Sequence, residues 1–388
     1  MSELAITPVK LPYDSYAKAC EILADIEPID YFFAKHVCEF IMQQPSTMEV
    51  ANGIDAREYT EVFHLMMALH CANRAGDVCL SIEHSAGKLF GFDSDNNGLI
   101  RKQGYRFLDI ATLRELLSSK LLKEELKLPV VFENDRLYLR RYFNFEQEVH
   151  QFILNKTQPI ARLSNDALNQ VSGIVNTLFP DVDDEQDIDW QKVAVANALN
   201  KQFIVIAGGP GTGKTFTVTK LLAALILQHN AGIDREIRNL DDDTSRSSLK
   251  IALTAPTGKA AQRLSESIVN AVEGFKGLVD ADVLAAIPRQ AQTIHRLLGV
   301  VPGQVNFKHN ETNLLDVDVL LVDEVSMVDL PLMARLTRAL PIGCRVIFLG
   351  DADQLPSVGA GCVLNDIAPR PHPGFSKANA KFLKAVCQ

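Results

Sequence analysis

The sequence contains no long hydrophobic run. None of its apolar stretches approaches the roughly 18 residues that a membrane-spanning helix needs, and the N-terminus MSELAITPVK lacks the apolar core of a signal peptide. These absences argue against a membrane-embedded or secreted protein. We therefore expect a cytoplasmic protein with no membrane partner.

Paired cysteines are also missing. The chain has seven cysteines, an odd number, and their spacings match neither a disulfide framework nor the usual zinc patterns. A small group of possible metal ligands, His70, Cys71, Cys79 and His84, shows no zinc-type spacing either. We interpret the cysteines as reduced core thiols and predict no structural metal site.

The chain has no excess of positive charge. Its formal net charge is −9 and its sequence pI is about 5.5. These values argue against a protein that coats nucleic acid nonspecifically, whereas a local basic channel for DNA remains compatible with them. With 388 residues, 47% of them apolar and 22% charged, the chain is long enough for two or three domains with cores of their own.

The strongest chemical signal is a phosphate-binding signature at residues 203–215, FIVIAGGPGTGKT. Phe203 to Ala207 predict a buried strand, and the next eight residues match the pattern G-x-x-x-x-G-K-[ST]. Glycines let backbone N–H groups approach a phosphate, and the following helix adds its positive dipole end to the same anion. The predicted nucleotide-binding residues are Gly208, Gly209, Pro210, Gly211, Thr212, Gly213, Lys214 and Thr215.

Three further apolar segments each end in a polar turn, as the parallel strands of an α/β sheet do. They are Leu249–Leu253, Val317–Val322 and Arg345–Leu349. After the second segment, Asp323 is predicted to hold Mg²⁺ together with Thr215, and Glu324 to orient and deprotonate the attacking water. After the third, Gln354 is predicted to sense the γ-phosphate, the alternative being an ordinary loop glutamine. Lys214 is predicted to act catalytically on the β- and γ-phosphates of ATP.

The turn after the first of these segments, TAPTGKAAQRL, carries a second basic loop that hydrolysis does not need. Thr257, Gly258 and Lys259 are predicted to grip a DNA backbone, with Arg263 one helical turn further on. The alternative is a helix N-terminus that binds nothing. Downstream, His295 is a further candidate for DNA contact, and residues 305–309 are predicted to form one arm of a small hairpin suited to stacking on single-stranded bases.

Two domains are predicted. Residues 1–150 show apolar residues at helical spacing and a β-hairpin near 130–139, with no organised catalytic group, and we interpret them as a mainly helical partner-docking domain. The alternative is a domain that only adds bulk to the nucleotide-binding domain and binds no partner. Residues 151–388 form the nucleotide-binding domain. Before its first strand stands Gln191, whose amide suits an adenine edge, although a surface glutamine fits the spacing equally well.

Five motifs in this order resemble the first motor domain of superfamily 1 helicases of the 5′→3′ class. They are GGPGTGKT, APTGKAAQRL, TIHRLLG, LLVDEVSM and GDADQLPSVGAG, and they match best the RecD family, the alpha subunits of exodeoxyribonuclease V. The resemblance implies a RecA-like parallel sheet. DWQKVAVANAL resembles the adenine-contacting glutamine motif of the family, which implies that role for Gln191.

The resemblance also implies partners. It implies ATP-driven translocation on single-stranded DNA at duplex ends, in a heterotrimer with the RecB and RecC subunits that repairs double-strand breaks by recombination. The N-terminal domain would dock on the gamma subunit. The chain carries no nuclease motif, so DNA cutting would belong to the beta subunit.

One departure from the family pattern concerns the end of the chain. Residues 369–388 do not begin a recognisable second motor domain, which would supply an arginine finger and half of the DNA track. We therefore expect a fragment that alone binds nucleotide weakly and does not unwind DNA. The alternatives are a stand-alone helicase of the same class and a truncated, non-catalytic interaction protein.

Overall fold

The computed structural model describes residues 11–43, 55–121, 128–158, 163–180, 188–209, 213–233, 248–304, 306–351, 353–354, 359–369 and 371–387. The chain divides into two compact units. One comprises Met1–Gln147 with Gly359–Gly361, and the other Glu148–Val358 with Cys362–Gln388. No helix in the described ranges is long and apolar enough to cross a membrane.

The first unit is organised around two long helices that pack against each other, α2 and α3. A capping box begins α3, since the Asp55 side chain accepts from the Glu58 N–H while the Glu58 carboxylate accepts from the Asp55 N–H. The helical spacing predicted for this region is confirmed. The helices are α1 (Tyr16–Ile22), α2 (Pro28–Gln43), α3 (Ala56–Arg74), α4 (Ile82–Ser85) and α5 (Ile110–Arg114), with a π-helical segment at Glu115–Leu121.

Two small antiparallel sheets complete the first unit. The strands are β1 (Cys79–Ser81), β2 (Leu89–Ser94), β3 (Ile100–Arg106), β4 (Val130–Glu133) and β5 (Arg136–Leu139). Strands β1, β5 and β4 form one sheet, and β2 and β3 form a separate hairpin. The predicted hairpin at 130–139 is confirmed. Its turn residues Asn134 and Asp135 have φ of +50° and +59°, the left-handed conformation that a two-residue hairpin turn favours.

The β2–β3 hairpin was not predicted, because glycines interrupt both of its strands and weaken the strand signal. Gly104 has a φ of +70°, and a Cβ there would lie 2.8 Å from the Phe90 carbonyl oxygen. The close approach of the two backbones therefore requires glycine. The N-terminal region thus contains more strand than its helical periodicity suggests.

The second unit is an α/β fold. Its helices are α6 (Arg140–Lys156, which begins in the first unit), α7 (Asn165–Leu178), α8 (Trp190–Leu199), α9 (Lys214–Asn230), α10 (Gly258–Glu273), α11 (Ala281–Ala286), α12 (Ile294–Leu298), α13 (Leu330–Arg338), α14 (Val363–Ile367) and α15 (Lys377–Val386). Its strands are β6 (Phe203–Ala207), β7 (Ile251–Ala255), β8 (Gln292–Thr293), β9 (Val319–Val322) and β10 (Arg345–Gly350).

The five strands form one parallel sheet in the order β6-β10-β9-β7-β8. The predicted α/β fold with a parallel sheet is confirmed, and the four predicted strands are present. The fifth, β8, has only two residues and gives no periodic signal. Strands β9 and β10 are buried throughout, as expected for strands covered on both faces.

The centre of the core is α9, whose apolar residues from Leu221 to Ala224 are fully buried. This helix packs against α7, α8 and α10. Because it begins at the phosphate-binding signature, the same packing that forms the core also fixes the direction in which the signature faces. The acidic stretch 181–187 and the polar stretch 234–247 lie outside the described residues.

Candidate nucleotide-binding site

The phosphate-binding signature occupies the carboxyl end of β6. The Gly208 N–H donates to the Gly350 carbonyl oxygen at 3.1 Å, which ties the start of the loop to the end of β10. Gly209 follows, and Pro210, Gly211 and Thr212 lie outside the described residues. Lys214 is the first residue of α9, and its Nζ donates to the Gly208 carbonyl oxygen at 2.6 Å, so its ammonium group lies over the loop.

Gly213 joins the loop to α9 in a left-handed conformation, with a φ of +75°. A Cβ at this position would lie 2.6 Å from Nε2 of Gln191. Both the backbone conformation and the neighbouring amide therefore favour glycine here. The structure brings the Gln191 amide against Gly213 of the phosphate loop, and its adenine-contacting role stays a prediction.

The N-terminal cap of α8 fixes the position of Gln191 beside the phosphate loop. Asp189 caps α8, and its Oδ1 accepts from the Gln191 N–H at 2.8 Å and from the Lys192 N–H at 3.0 Å. Asp189 is not among the predicted site residues, although an aspartate directly before a helical pattern is a recognisable N-cap signal. This cap fixes the backbone of the residue whose side chain faces Gly213.

The acidic pair follows β9. The Asp323 N–H donates to the Thr254 carbonyl oxygen at 2.8 Å, and Asp323 Oδ1 accepts from the Glu324 N–H at 2.9 Å. Burial raises the pKa of the Asp323 carboxyl, and the nearby positive charge of Lys214 opposes that rise. A partly buried carboxylate suits a divalent cation, because the cation would stabilise the charged form that burial disfavours.

Glu324 has an unusual conformation for its residue type. Its backbone is left-handed, with φ of 52° and ψ of 45°. Its Oε2 is buried and makes no hydrogen bond within the described part of the chain. Both features destabilise the fold, and such strain tends to be found at functional sites. The role of Glu324 in activating water stays a prediction.

Two other predicted site residues are placed only by their backbone. Thr215 is the second residue of α9, and its side chain lies outside the described structure. Gln354 follows β10, and its N–H donates to the Asp351 carbonyl oxygen at 3.2 Å. Asp351 is buried and its Oδ1 accepts from the Asp353 N–H at 3.0 Å, which forms the turn. The roles of Thr215 and Gln354 stay predictions.

The residues predicted to contact DNA lie at the ends of β7 and β8, across the sheet from β6. Thr257 caps α10, and its hydroxyl accepts from the Ala260 N–H at 3.2 Å, so it has a structural role in the helix. Gly258 is exposed, with open space where a Cβ would lie. Lys259 and Arg263 are exposed near the start of the same helix.

A cluster of aromatic and basic side chains lies near β8. The ring of His295, an exposed residue of α12, meets the ring of Phe307 edge-on, with 5.7 Å between centroids. The Arg335 guanidinium lies 5.5 Å from the centroid of the Phe307 ring. The hairpin arm predicted at 305–309 is wrong for the described residues 306–309, which form bends rather than a strand. Of these residues, Phe307 belongs to the cluster.

Comparisons with known proteins show what the chain is similar to. Residues 191–360 match a family model described as an AAA domain. The chain is 42% identical over 261 residues to the RecBCD enzyme subunit RecD of Haemophilus influenzae, a match that covers 66% of this chain and 38% of the relative. It is 33% identical over 356 residues to the same subunit of Mycolicibacterium smegmatis, covering 89% of this chain and 53% of the relative.

A further relative is the ATP-dependent RecD2 DNA helicase of Deinococcus radiodurans, 35% identical over 217 residues. That match covers 52% of this chain and 25% of the relative. The chain thus spans about half, or less, of the length of the curated relatives that it matches.

Proposed function

We propose that this chain, a homologue of the RecD subunits of RecBCD enzymes that carries an AAA domain, is an ATP-dependent 5′→3′ DNA helicase subunit of the RecBCD type. One observation carries the proposal. Lys214 and Gln191 both lie against the phosphate loop at the end of β6, and the charge of Lys214 acts on the Asp323 carboxyl at the end of β9, a grouping that supports nucleotide binding and hydrolysis.

Each residue has a distinct task in this proposal. Lys214 places its charge on the β- and γ-phosphates of ATP, and Gln191 contacts the adenine edge. Asp323 and Thr215 would hold Mg²⁺, which neutralises developing charge on the phosphates when bound. Glu324 accepts a proton from the attacking water, and Gln354 contacts the γ-phosphate.

The DNA track is proposed at the ends of β7 and β8. Gly258, Lys259 and Arg263 contact the phosphodiester backbone, and Thr257 shapes the helix start that presents them. His295 lies with Phe307 and Arg335, whose aromatic and cationic surfaces suit stacking against single-stranded bases. Single-stranded DNA at duplex ends is the proposed substrate.

The extent of similarity favours a subunit of a complex over a stand-alone helicase. The match to the Mycolicibacterium smegmatis RecD subunit covers 89% of this chain, whereas the match to the RecD2 helicase covers 52%. We therefore propose RecB and RecC as partners and double-strand break repair by recombination as the process.

An exposed apolar face of α2 is the proposed docking surface for the RecC subunit. Phe32 and Phe40 are 48% and 45% exposed, and Ile29 extends the same face towards the start of the helix. Val37 and Phe33 border them in one shallow groove. Exposed aromatic residues spaced on one helix face are typical of protein interfaces.

Nucleotide binding is tested with Trp190, the one tryptophan of the sequence. Its side chain is 65% exposed and it directly precedes Gln191. We expect Mg·ATP to change the emission of Trp190, because adenine would lie beside its helix start. A saturable change in fluorescence on titration with Mg·ATP, with Gln191→Ala weakening it, is the expected result. Emission that stays flat to millimolar Mg·ATP, together with no heat of binding in calorimetry, would refute ATP binding.

Docking is tested by placing charge on the α2 face. The double substitution Phe32→Asp and Phe40→Asp is expected to weaken binding to the RecC subunit of the same cells by at least about 30-fold, since buried aromatic anchors dominate interfaces. Stability should change less than for a core phenylalanine, because nearly half of each side chain is exposed. Surface plasmon resonance measures the affinity.

The matched control for docking is Phe375→Asp, an exposed phenylalanine of the second unit. It should bind RecC like the wild type. Unchanged affinity of the double variant would exclude the α2 face as the docking surface.

A further inference from the structure

A phenylalanine beside the phosphate loop has no task in the proposed chemistry. Phe216 lies in the first turn of α9, two residues after Lys214, and 44% of its side chain is exposed. The residues that follow in the same helix, such as Val218 and Leu221, are fully buried. The helix is therefore anchored by its core face, while Phe216 is presented at the end that faces the nucleotide site.

The Phe216 ring is supported by its neighbours. It stacks on Phe275, with 5.0 Å between centroids and 24° between ring planes, and Phe275 itself is buried. The Lys220 ammonium lies 4.9 Å from the Phe216 centroid and 3.6 Å from that of Phe179. A ring held in this way loses little conformational freedom when a ligand contacts its exposed part.

The side of α9 that carries Phe216 faces Gln191, the residue proposed to contact adenine. Burial lowers the pKa of Lys220, and the charge of Asp189 partly opposes this. Asp189 caps the helix that begins with Trp190 and Gln191. Gly213, one turn before Phe216, is in turn next to the Gln191 amide. The Gln191 amide and the Phe216 ring therefore flank the same turn.

We propose that Phe216 is a specificity-determining residue of the nucleotide site, which packs its exposed aromatic surface against a purine base. This inference rests on the proposed binding of ATP. An amide contacts the polar edge of a base, and an aromatic ring contacts its apolar surface, so the two side chains recognise complementary parts of one ligand. Because a purine offers a larger surface than a pyrimidine, Phe216 favours ATP over CTP.

The test compares ligands with and without a base. Trp190 emission or calorimetry gives dissociation constants for Mg·ATP, Mg·CTP and inorganic tripolyphosphate with the wild-type chain and Phe216→Ala. We expect Phe216→Ala to bind ATP roughly tenfold more weakly, as loss of a base–aromatic contact predicts, with CTP affected less. Tripolyphosphate binding should stay unchanged, because the phosphate loop is intact. Phe216→Tyr keeps the ring and should bind ATP like the wild type.

Phe92→Ala is the matched control, since Phe92 is 42% exposed and lies on the β2–β3 hairpin of the first unit. It should change none of the three affinities. Equal affinity of wild type and Phe216→Ala for ATP would overturn the inference, and so would an equal loss for ATP and tripolyphosphate, which would indicate a structural role. If the wild type binds no nucleotide more tightly than it binds tripolyphosphate, the proposed ATP site itself is wrong, and the inference fails with it.

Discussion

Replacing Lys214 with alanine is expected to weaken Mg·ATP binding by at least about 100-fold, because charge-assisted hydrogen bonds to two phosphates contribute roughly 1.5–3 kcal/mol each. The Lys214 Nζ already lies over the loop, in contact with the Gly208 carbonyl oxygen, so little reorganisation is needed for it to meet a phosphate. Titration of Trp190 emission with Mg·ATP measures the loss. The fold should remain intact, since the side chain lies at the surface of the loop rather than in the core.

The chain provides its own control for this substitution. Lys259 also follows a glycine at the start of a helix, but at the end of β7 instead of β6. Lys259→Ala should leave Mg·ATP affinity unchanged and should weaken binding to a single-stranded oligonucleotide. Equal loss of ATP affinity in both variants would contradict the division of the sheet edge into a nucleotide side and a DNA side.

Replacing Glu324 should slow hydrolysis and at the same time stabilise the fold. Removal of a general base lowers the rate by about 100- to 10,000-fold, so Glu324→Gln is expected to bind Mg·ATP normally and hydrolyse it at a small fraction of the wild-type rate. Single-turnover hydrolysis with single-stranded DNA present measures this. Wild-type turnover in Glu324→Gln would exclude the carboxylate as the base.

The stability gain is measured with Glu324→Gly. Glycine adopts the left-handed conformation at no steric cost, whereas a residue with a Cβ pays about 1–2 kcal/mol there, and the buried unpartnered Oε2 is removed as well. The free energy of unfolding should therefore rise. Asn134→Gly, at a left-handed hairpin position outside the site, is the control and should affect stability less, because asparagine tolerates that conformation. A fall in stability for Glu324→Gly would contradict the strain interpretation.

Much of the fold could be predicted because local signals and tertiary structure agree. Strand, glycine-rich loop and helix follow each other at residues 203–230, and the acidic pair follows a fully apolar strand. The sheet then brings these ends together without further information, since neighbouring parallel strands align their carboxyl ends. The placement of Lys214 near Asp323 follows from this rule.

Other features could not be predicted because distant contacts determine them. The left-handed backbone of Glu324 contradicts the usual preference of glutamate. The stacking of Phe216 on Phe275 joins residues from separate segments, and the Thr257 hydroxyl could be assigned to its helix cap only from the structure. The β2–β3 hairpin was not predicted because glycines in a sequence usually argue against a strand. In the structure, glycine is needed there because the two backbones approach each other closely.

The hydrogen bond from the Asp323 N–H to the Thr254 carbonyl oxygen has a mechanical consequence. It continues the pairing with β7 one residue beyond the end of β9, so the backbone of Asp323 is tied to the strand that leads into Thr257, the cap of α10. In the proposed helicase, this bond would connect the Mg²⁺-holding end of the nucleotide site directly to the strand that leads into the proposed DNA-contacting helix.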